Sequence, residues 1–160
     1  MDFAEFYASA KDDCFRAVLA STGGDLQAAE DLVAEAFARA WATWRKVGRH
    51  PAPRAWVVRT ALNTRVSWWR RRQREVALTE TDSAAAPDSD GGVGQELMTA
   101  LLRLPLRQRQ VVALRLFLDL DTAHTAQVLG IAPGTVTAHM ARAIAALREE
   151  FMPARGQEKP

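Results

Sequence analysis

Residues 53–75, PRAWVVRTALNTRVSWWRRRQRE, hold seven arginines and three of the chain's five tryptophans, with an acid only at the last position. At about 100° per residue the stretch reads as one helix with two faces. Ala55, Val58, Leu62, Val66 and Trp69 line an apolar side. Arg59, Asn63, Ser67, Arg70 and Arg74 line the other, with Thr60 and Arg71 at its edge. Trp56 falls in the middle of the polar face. Two readings fit it. An aromatic ring among guanidinium and amide groups suits a surface that stacks on bases and binds phosphate. It also suits a basic amphipathic helix whose tryptophan a neighbouring loop covers.

The charge pattern around this helix is blocked rather than mixed. Residues 1–38 carry eight acids against Lys11 and Arg16, and residues 39–75 carry ten arginines and Lys46 against Glu75. Residues 76–96 carry five acids and no base, so the net charge of +2 conceals separate electrostatic tasks. The basic block is what a polyanion-binding face requires. No run of about 18 apolar residues predicts a membrane span. The acidic, amphipathic start does not read as a secretory signal. Cys14 stands alone, which predicts neither a disulfide framework nor a metal cluster, and its spacing with Tyr7, Ala10 and Val18 predicts a buried thiol. These features together predict a cytoplasmic protein.

Upstream, Phe3, Phe6, Tyr7, Ala10, Cys14 and Val18 predict a helix over 2–20, ended by Ser21-Thr22-Gly23-Gly24. Asp25 is a fitting N-cap for a second helix to about Trp44, buried through Leu26, Ala29, Val33, Ala36, Phe37, Ala40 and Trp44. Its exposed side offers Glu30, Asp31, Ala34, Glu35 and Arg39; these acids also fit plain favourable charge near a helix N-terminus. Arg45–Pro53, with Gly48, Pro51 and Pro53, predicts a rigid basic loop before the tryptophan helix. Residues 79–95 are small, acidic and glycine-rich and predict a flexible linker.

The C-terminal part is again helical. Leu97, Leu101, Leu102 and Leu104 predict a short helix ending at Pro105. A second is predicted over Arg107–Leu118, with Val111, Val112, Leu114 and Leu118 inward. Helices at about Thr122–Leu129 and Pro133–Phe151 flank Gly130, which permits positive φ, with Ile131, Val136, Met140, Ile144 and Leu147 facing inward. This is helix-turn-helix spacing. The prediction is an all-α chain of two small helical domains, residues 1–75 and 96–153, with a linker at 76–95 and a tail at 154–160.

With both halves read, the order of elements resembles the extracytoplasmic-function (ECF) group of bacterial sigma-70 family RNA polymerase sigma factors. AAEDLVAEAFARAW (28–41) looks like their region 2.2 and PRAWVVRTALNTRVSWWRRR (53–72) like region 2.4. LLRLPLRQRQVVALRLFLDL (101–120) followed by AQVLGIAPGTVTAHMARA (126–143) looks like region 4. The SWWRRR run further resembles an actinobacterial subgroup. The resemblance implies binding to core RNA polymerase, at the β′ clamp coiled coil and the β flap, through Asp31, Glu35 and Arg39. It implies capture of a flipped −10 base by the loop Arg45–Arg54 and the helix beneath it, through Arg49, His50, Arg54, Trp56, Arg59, Asn63, Ser67, Arg70, Arg71 and Arg74. It implies −35 recognition through Arg115, Gly134, Thr135, Thr137, His139 and Arg142, a cognate anti-sigma factor, and no catalysis, cofactor, metal or membrane insertion.

The chain departs from the family at three places. Ala34 stands where Gln is common. Thr137, Ala138 and His139 replace more basic residues of the recognition helix. Asp121–His124 replaces Ser-Tyr-Glu-Glu, which predicts looser capping of the helix that follows. The acidic linker matches the family's channel-entering region 3.2 and equally fits a solvated tether. Other readings are a stand-alone LuxR-type helix-turn-helix regulator, which leaves the first two helices unexplained, and a non-initiating decoy for polymerase or anti-sigma factor.

Overall fold

A computed structural model describes residues 1–76 and 93–152, with side chains described except at 65–76 and Val93. Residues 77–92 of the predicted linker, the tail, and the side chains of Val66, Ser67, Trp68, Trp69, Arg70, Arg71 and Arg74 lie outside the described residues; the linker's predicted end at 95 is corrected, because Val93–Gln95 already form the first turn of α5.

The described chain is all-α. In order the helices are α1 (Phe3–Ser21), α2 (Leu26–Ala42), α3 (Trp44–Val47), α4 (Pro53–Val76), α5 (Val93–Leu102), α6 (Leu106–Phe117), α7 (Thr122–Leu129) and α8 (Pro133–Phe151). Their ends follow local chemistry. Asp2 and Glu5 form a reciprocal capping box that opens α1, and Asp25 Oδ1 accepts the Ala28 N–H at 3.0 Å to open α2. Pro53 begins α4 and Pro133 begins α8, where a missing N–H costs nothing.

Several expectations need correction. Helix α2 stops at Ala42, short of Trp44: Thr43 leaves helical geometry at φ −119°, and its hydroxyl donates to the Arg39 carbonyl at 2.8 Å. The basic segment then makes one helical turn, α3, before the true loop at Gly48–Ala52. Tyr7 is 43% exposed rather than core, and Leu32, absent from the predicted stripe, is buried. On α8 the inward line is Val136, Met140, Ala143 and Leu147; Ile144 is turned about 100° from Ala143 and is exposed.

Helix α4 is buried on more sides than one apolar stripe allows. Ala55 and Val58 are buried as expected, but so are Val57, Ala61 and Thr64. The reason is its position: α1, α2 and α7 all pack against it. Cys14 is fully buried, and burial pushes its thiol up to about 12.

The two predicted units are α1–α4 and α5–α8. The second has its own small core of Leu101, Leu104, Val112 and Ala143. The Arg103–Glu150 salt bridge ties α5 to α8. The units are not held apart, however. Helix α6 packs along α1, α7 packs on α4, and one apolar cluster runs from Phe6 and Cys14 through Leu114, Leu118 and Leu120 to Val136. At the α1–α2 turn, Gly24 has φ +87°, and a Cβ there would lie 3.1 Å from Leu102 Cδ1 of α5. The left-handed backbone favours glycine there, and a Cβ would make the Leu102 methyl shift by a few tenths of an ångström.

Candidate nucleic-acid and polymerase interface

Asp31, Glu35 and Arg39 recur at four-residue steps and share one outward face of α2. Asp31 Oδ1 accepts from Gln27 Nε2 at 2.9 Å and is otherwise presented to solvent. Arg39 is shared. Its Nη2 donates to Glu35 Oε1 at 2.6 Å and its Nη1 to Thr64 Oγ1 of α4 at 3.2 Å. The Thr64 hydroxyl in turn donates to the Thr60 carbonyl at 2.9 Å. The exposed ion pair adds only a few tenths of a kcal/mol, but it orients Glu35 and couples this face to α4. Ala34 is exposed between the two acids.

The loop before α4 is shaped by three contacts. Gly48 lets the Trp44 ring lie against the backbone; a Cβ would sit 3.0 Å from the Trp44 carbonyl oxygen and 3.1 Å from the ring. His50 Nδ1 accepts the Ala52 N–H at 3.0 Å, which places the ring proton of the neutral form on Nε2. Arg54 Nη1 donates to Asp13 Oδ2 and its Nη2 to the Ser9 carbonyl, both at 2.9 Å. Arg54 is therefore a strap from α4 to α1, a role its sequence context did not reveal. Arg49, Arg59 and Asn63 are exposed. Trp56 lies between the two readings of it: half-buried, it packs against the edge of the core and leaves the rest of its ring accessible.

The helix-turn-helix is built as its sequence predicts. Gly130 has φ +65°, and the Ile131 N–H donates to the Ala126 carbonyl at 3.1 Å, closing α7. The expected looseness at Asp121–His124 is overturned. Asp121 Oδ1 accepts the His124 N–H at 2.7 Å and lies 2.9 Å from His124 Nδ1. These bonds, the backbone one first, hold the Asp121 carboxyl below its ordinary value. Gly134, Thr135, Thr137, Ala138 and Arg142 are exposed along α8. Thr137 Oγ1 donates to the Pro133 carbonyl at 3.2 Å, leaving its lone pairs outward. His139 is half-buried, and its Nδ1 is buried without a hydrogen-bond partner. Arg115 Nη1 donates to the Leu120 carbonyl at 3.0 Å and so braces the α6–α7 turn.

Sequence reasoning missed an aromatic shelf beside the polar α2 face. Trp41 is 69% exposed, its ring 6.4 Å from Phe3, and Phe3 stacks near Tyr7 at 6.2 Å. The available signal was that Trp41 falls off the buried stripe of α2.

The sigma-70 region 2 family model matches residues 14–75, and the sigma-70 region 4 model matches 94–147. The chain belongs to the sigma-70 family. An RNA polymerase sigma-E factor of Streptomyces coelicolor is 32% identical over 158 residues, covering 95% of this chain and 87% of that protein. The ECF RNA polymerase sigma factor SigL of Mycobacterium tuberculosis is 31% identical over 133 residues, covering 78% and 75%. These relatives are sigma factors, which are not catalytic enzymes, and they place this sigma-70 protein in the ECF group as an alternative RNA polymerase sigma factor. The fold is also similar to that of the sigma factor RpoE of Bartonella quintana, solved with the anti-sigma factor NepR: TM-score 0.75 at 23% identity, covering 96% of this chain and 99% of that one. No described helix is long and apolar enough to cross a membrane.

Proposed function

We propose that the three surfaces divide the work of promoter recognition. The Asp31–Glu35–Arg39 face of α2 docks on core RNA polymerase in the cytoplasm, at the β′ clamp coiled coil, and the C-terminal unit meets the β flap. The loop Gly48–Ala52 and the start of α4 take up the melted −10 strand. The exposed half of α8 enters the major groove at −35. The observation that carries this reading is the exposure of Arg49, Arg59 and Asn63 around half-buried Trp56. Guanidinium groups can hold the phosphates there, while the Trp56 ring and the Asn63 amide meet a base. Arg142 and Thr135 are the exposed donors suited to base edges at −35.

Arg54 and Arg115 act in this scheme by positioning the −10 loop and the α6–α7 turn. No bond is made or broken by the protein; it binds, orients and stabilises opened DNA. An anti-sigma factor, as in the Bartonella complex, would hold the chain inactive. Reconstitution with core polymerase tests the reading: specific transcripts are expected, and mapping their 5′ ends identifies both promoter elements. Absence of any complex with core polymerase refutes it. The scarcity of cations on α8, where Arg142 stands alone among the predicted −35 contacts of that helix, supports one rival. Stable polymerase binding without initiation would make the chain a decoy.

A further inference from the structure

The segment that joins α3 to α4, Gly48-Arg49-His50-Pro51-Ala52-Pro53, ends in two prolines separated by one alanine. Each proline fixes its own φ and supplies no N–H. Each also biases the residue before it, His50 or Ala52, toward extended backbone. The N–H groups that remain are all used inside the chain. Gly48 donates to the Trp44 carbonyl at 2.8 Å, Arg49 to the Lys46 carbonyl at 3.2 Å and His50 to the Val47 carbonyl at 3.0 Å. The Ala52 N–H donates to a side chain instead, His50 Nδ1 at 3.0 Å.

That last bond leads directly into α4. The Ala52 carbonyl accepts the Trp56 N–H at 3.1 Å and so opens the hydrogen-bond ladder of the helix. Ala52 immediately precedes α4, where alanine ranks low because it has no side-chain acceptor to fix the helix start. His50 orients it from two residues upstream. Gly48, Arg49, His50 and Pro51 are exposed, while Ala52 and Trp56 are half-buried. The imidazole therefore holds Ala52 from the accessible side of the loop, and its bond is not a core contact.

We propose that His50 is a positioning residue for the melted −10 strand: its ring locks Ala52, and through Ala52 sets where α4 begins and where Trp56 stands. This role rests on the uptake of that strand by the loop, proposed above. With its N–H groups engaged, the segment 48–53 offers the strand no backbone donor. Donors to phosphate come from side chains, Arg49 and Arg59, and the loop serves as a shelf of fixed shape. A prearranged loop binds more tightly because less backbone freedom is lost on contact. His50 acts through Ala52 rather than by touching a base or a phosphate.

The test compares His50→Ala with His50→Asn in the full chain bound to core polymerase. An asparagine side-chain carbonyl can accept the N–H two residues on, as the imidazole does here, but lacks the ring. Binding is read with a fork-junction DNA of the mapped promoter whose −10 strand is single. His50→Ala should weaken it by about 2- to 12-fold, the worth of one net hydrogen bond, and His50→Asn should recover most of that loss. Asparagine as weak as alanine, with core-polymerase binding intact in both, makes His50 a direct DNA contact and overturns the positioning role. Full affinity in His50→Ala overturns it as well. In the free chain, long-range 1H–15N NMR at about pH 8, above the ordinary histidine range, should show His50 with a bare Nδ1 and a proton on Nε2. A proton on Nδ1 overturns the lock. A wild-type chain that binds core polymerase but not the −10 strand overturns the −10 reading, and the role of His50 with it, even where the ring shows the expected tautomer.

Discussion

Replacing Arg54 with Met separates a structural strap from a DNA contact. The guanidinium makes two charge-assisted bonds at 2.9 Å, to Asp13 Oδ2 and the Ser9 carbonyl. Fully buried, such bonds are each worth about 1.5–3 kcal/mol. Here the Arg54 and Asp13 side chains are 35% and 31% exposed, so solvent screening brings the Asp13 pair down to about 0.5–1 kcal/mol. Adding the Ser9 bond, and crediting Met for keeping the aliphatic packing, gives a total loss of about 1–2 kcal/mol. Urea unfolding of the full chain measures it. With roughly 2–4 °C per kcal/mol at this size, Tm should fall by about 2–8 °C. The cycle with Asp13→Asn should return a coupling of about 0.5–1 kcal/mol. Unchanged stability together with lost −10 binding would refute the strap and restore Arg54 as a direct phosphate ligand.

Other predictions follow from the same contacts. Trp56→Ala should weaken the open complex by about 1–3 kcal/mol if the ring stacks on a base; a collapse of the thermal transition would mark it as core instead. Asp31→Ala with Glu35→Ala should weaken binding to core polymerase, read by surface plasmon resonance, while circular dichroism stays unchanged. Cys14 has a folded pKa raised from 9.0 to about 12, so its contribution to stability is complete below pH 9 and is lost as pH rises toward 12. Alkaline unfolding should accordingly move to higher pH in Cys14→Ala, measured by fluorescence, and a thiol reagent should modify the native protein only after unfolding. Gly130→Ala forces a Cβ into left-handed geometry and should cost about 1–2 kcal/mol in urea unfolding, with no change at Gly134→Ala beyond about 1 kcal/mol of helix propensity.

Much of the fold was legible because its signals are local. Apolar residues at three- and four-residue steps gave α1, α6, α7 and α8 within a residue or two, and Asp25, Gly130 and Pro133 marked ends through their own backbone chemistry. Errors arose where a local signal was read without its partner. Asp121–His124 looked like a weakened cap because it departs from a family pattern, yet Asp121 caps by the simplest route, a carboxylate accepting the N–H three residues on.

Sequence by itself determined the helices other than α3, their order and the helix-turn-helix, because periodicity and turn residues act within a few positions of one another. Tertiary structure alone decided which of those charges remain free. Arg54 finds Asp13 41 residues away, and Arg39 finds Thr64 25 away. No spacing rule joins such pairs; only the packing of α1 and α2 on α4 does. The same holds for the seam between the units. Val111, Leu114 and Leu118 read simply as the inward side of α6. Hydrophobic burial is non-directional, so nothing in that stripe specifies that α1 is part of what covers it.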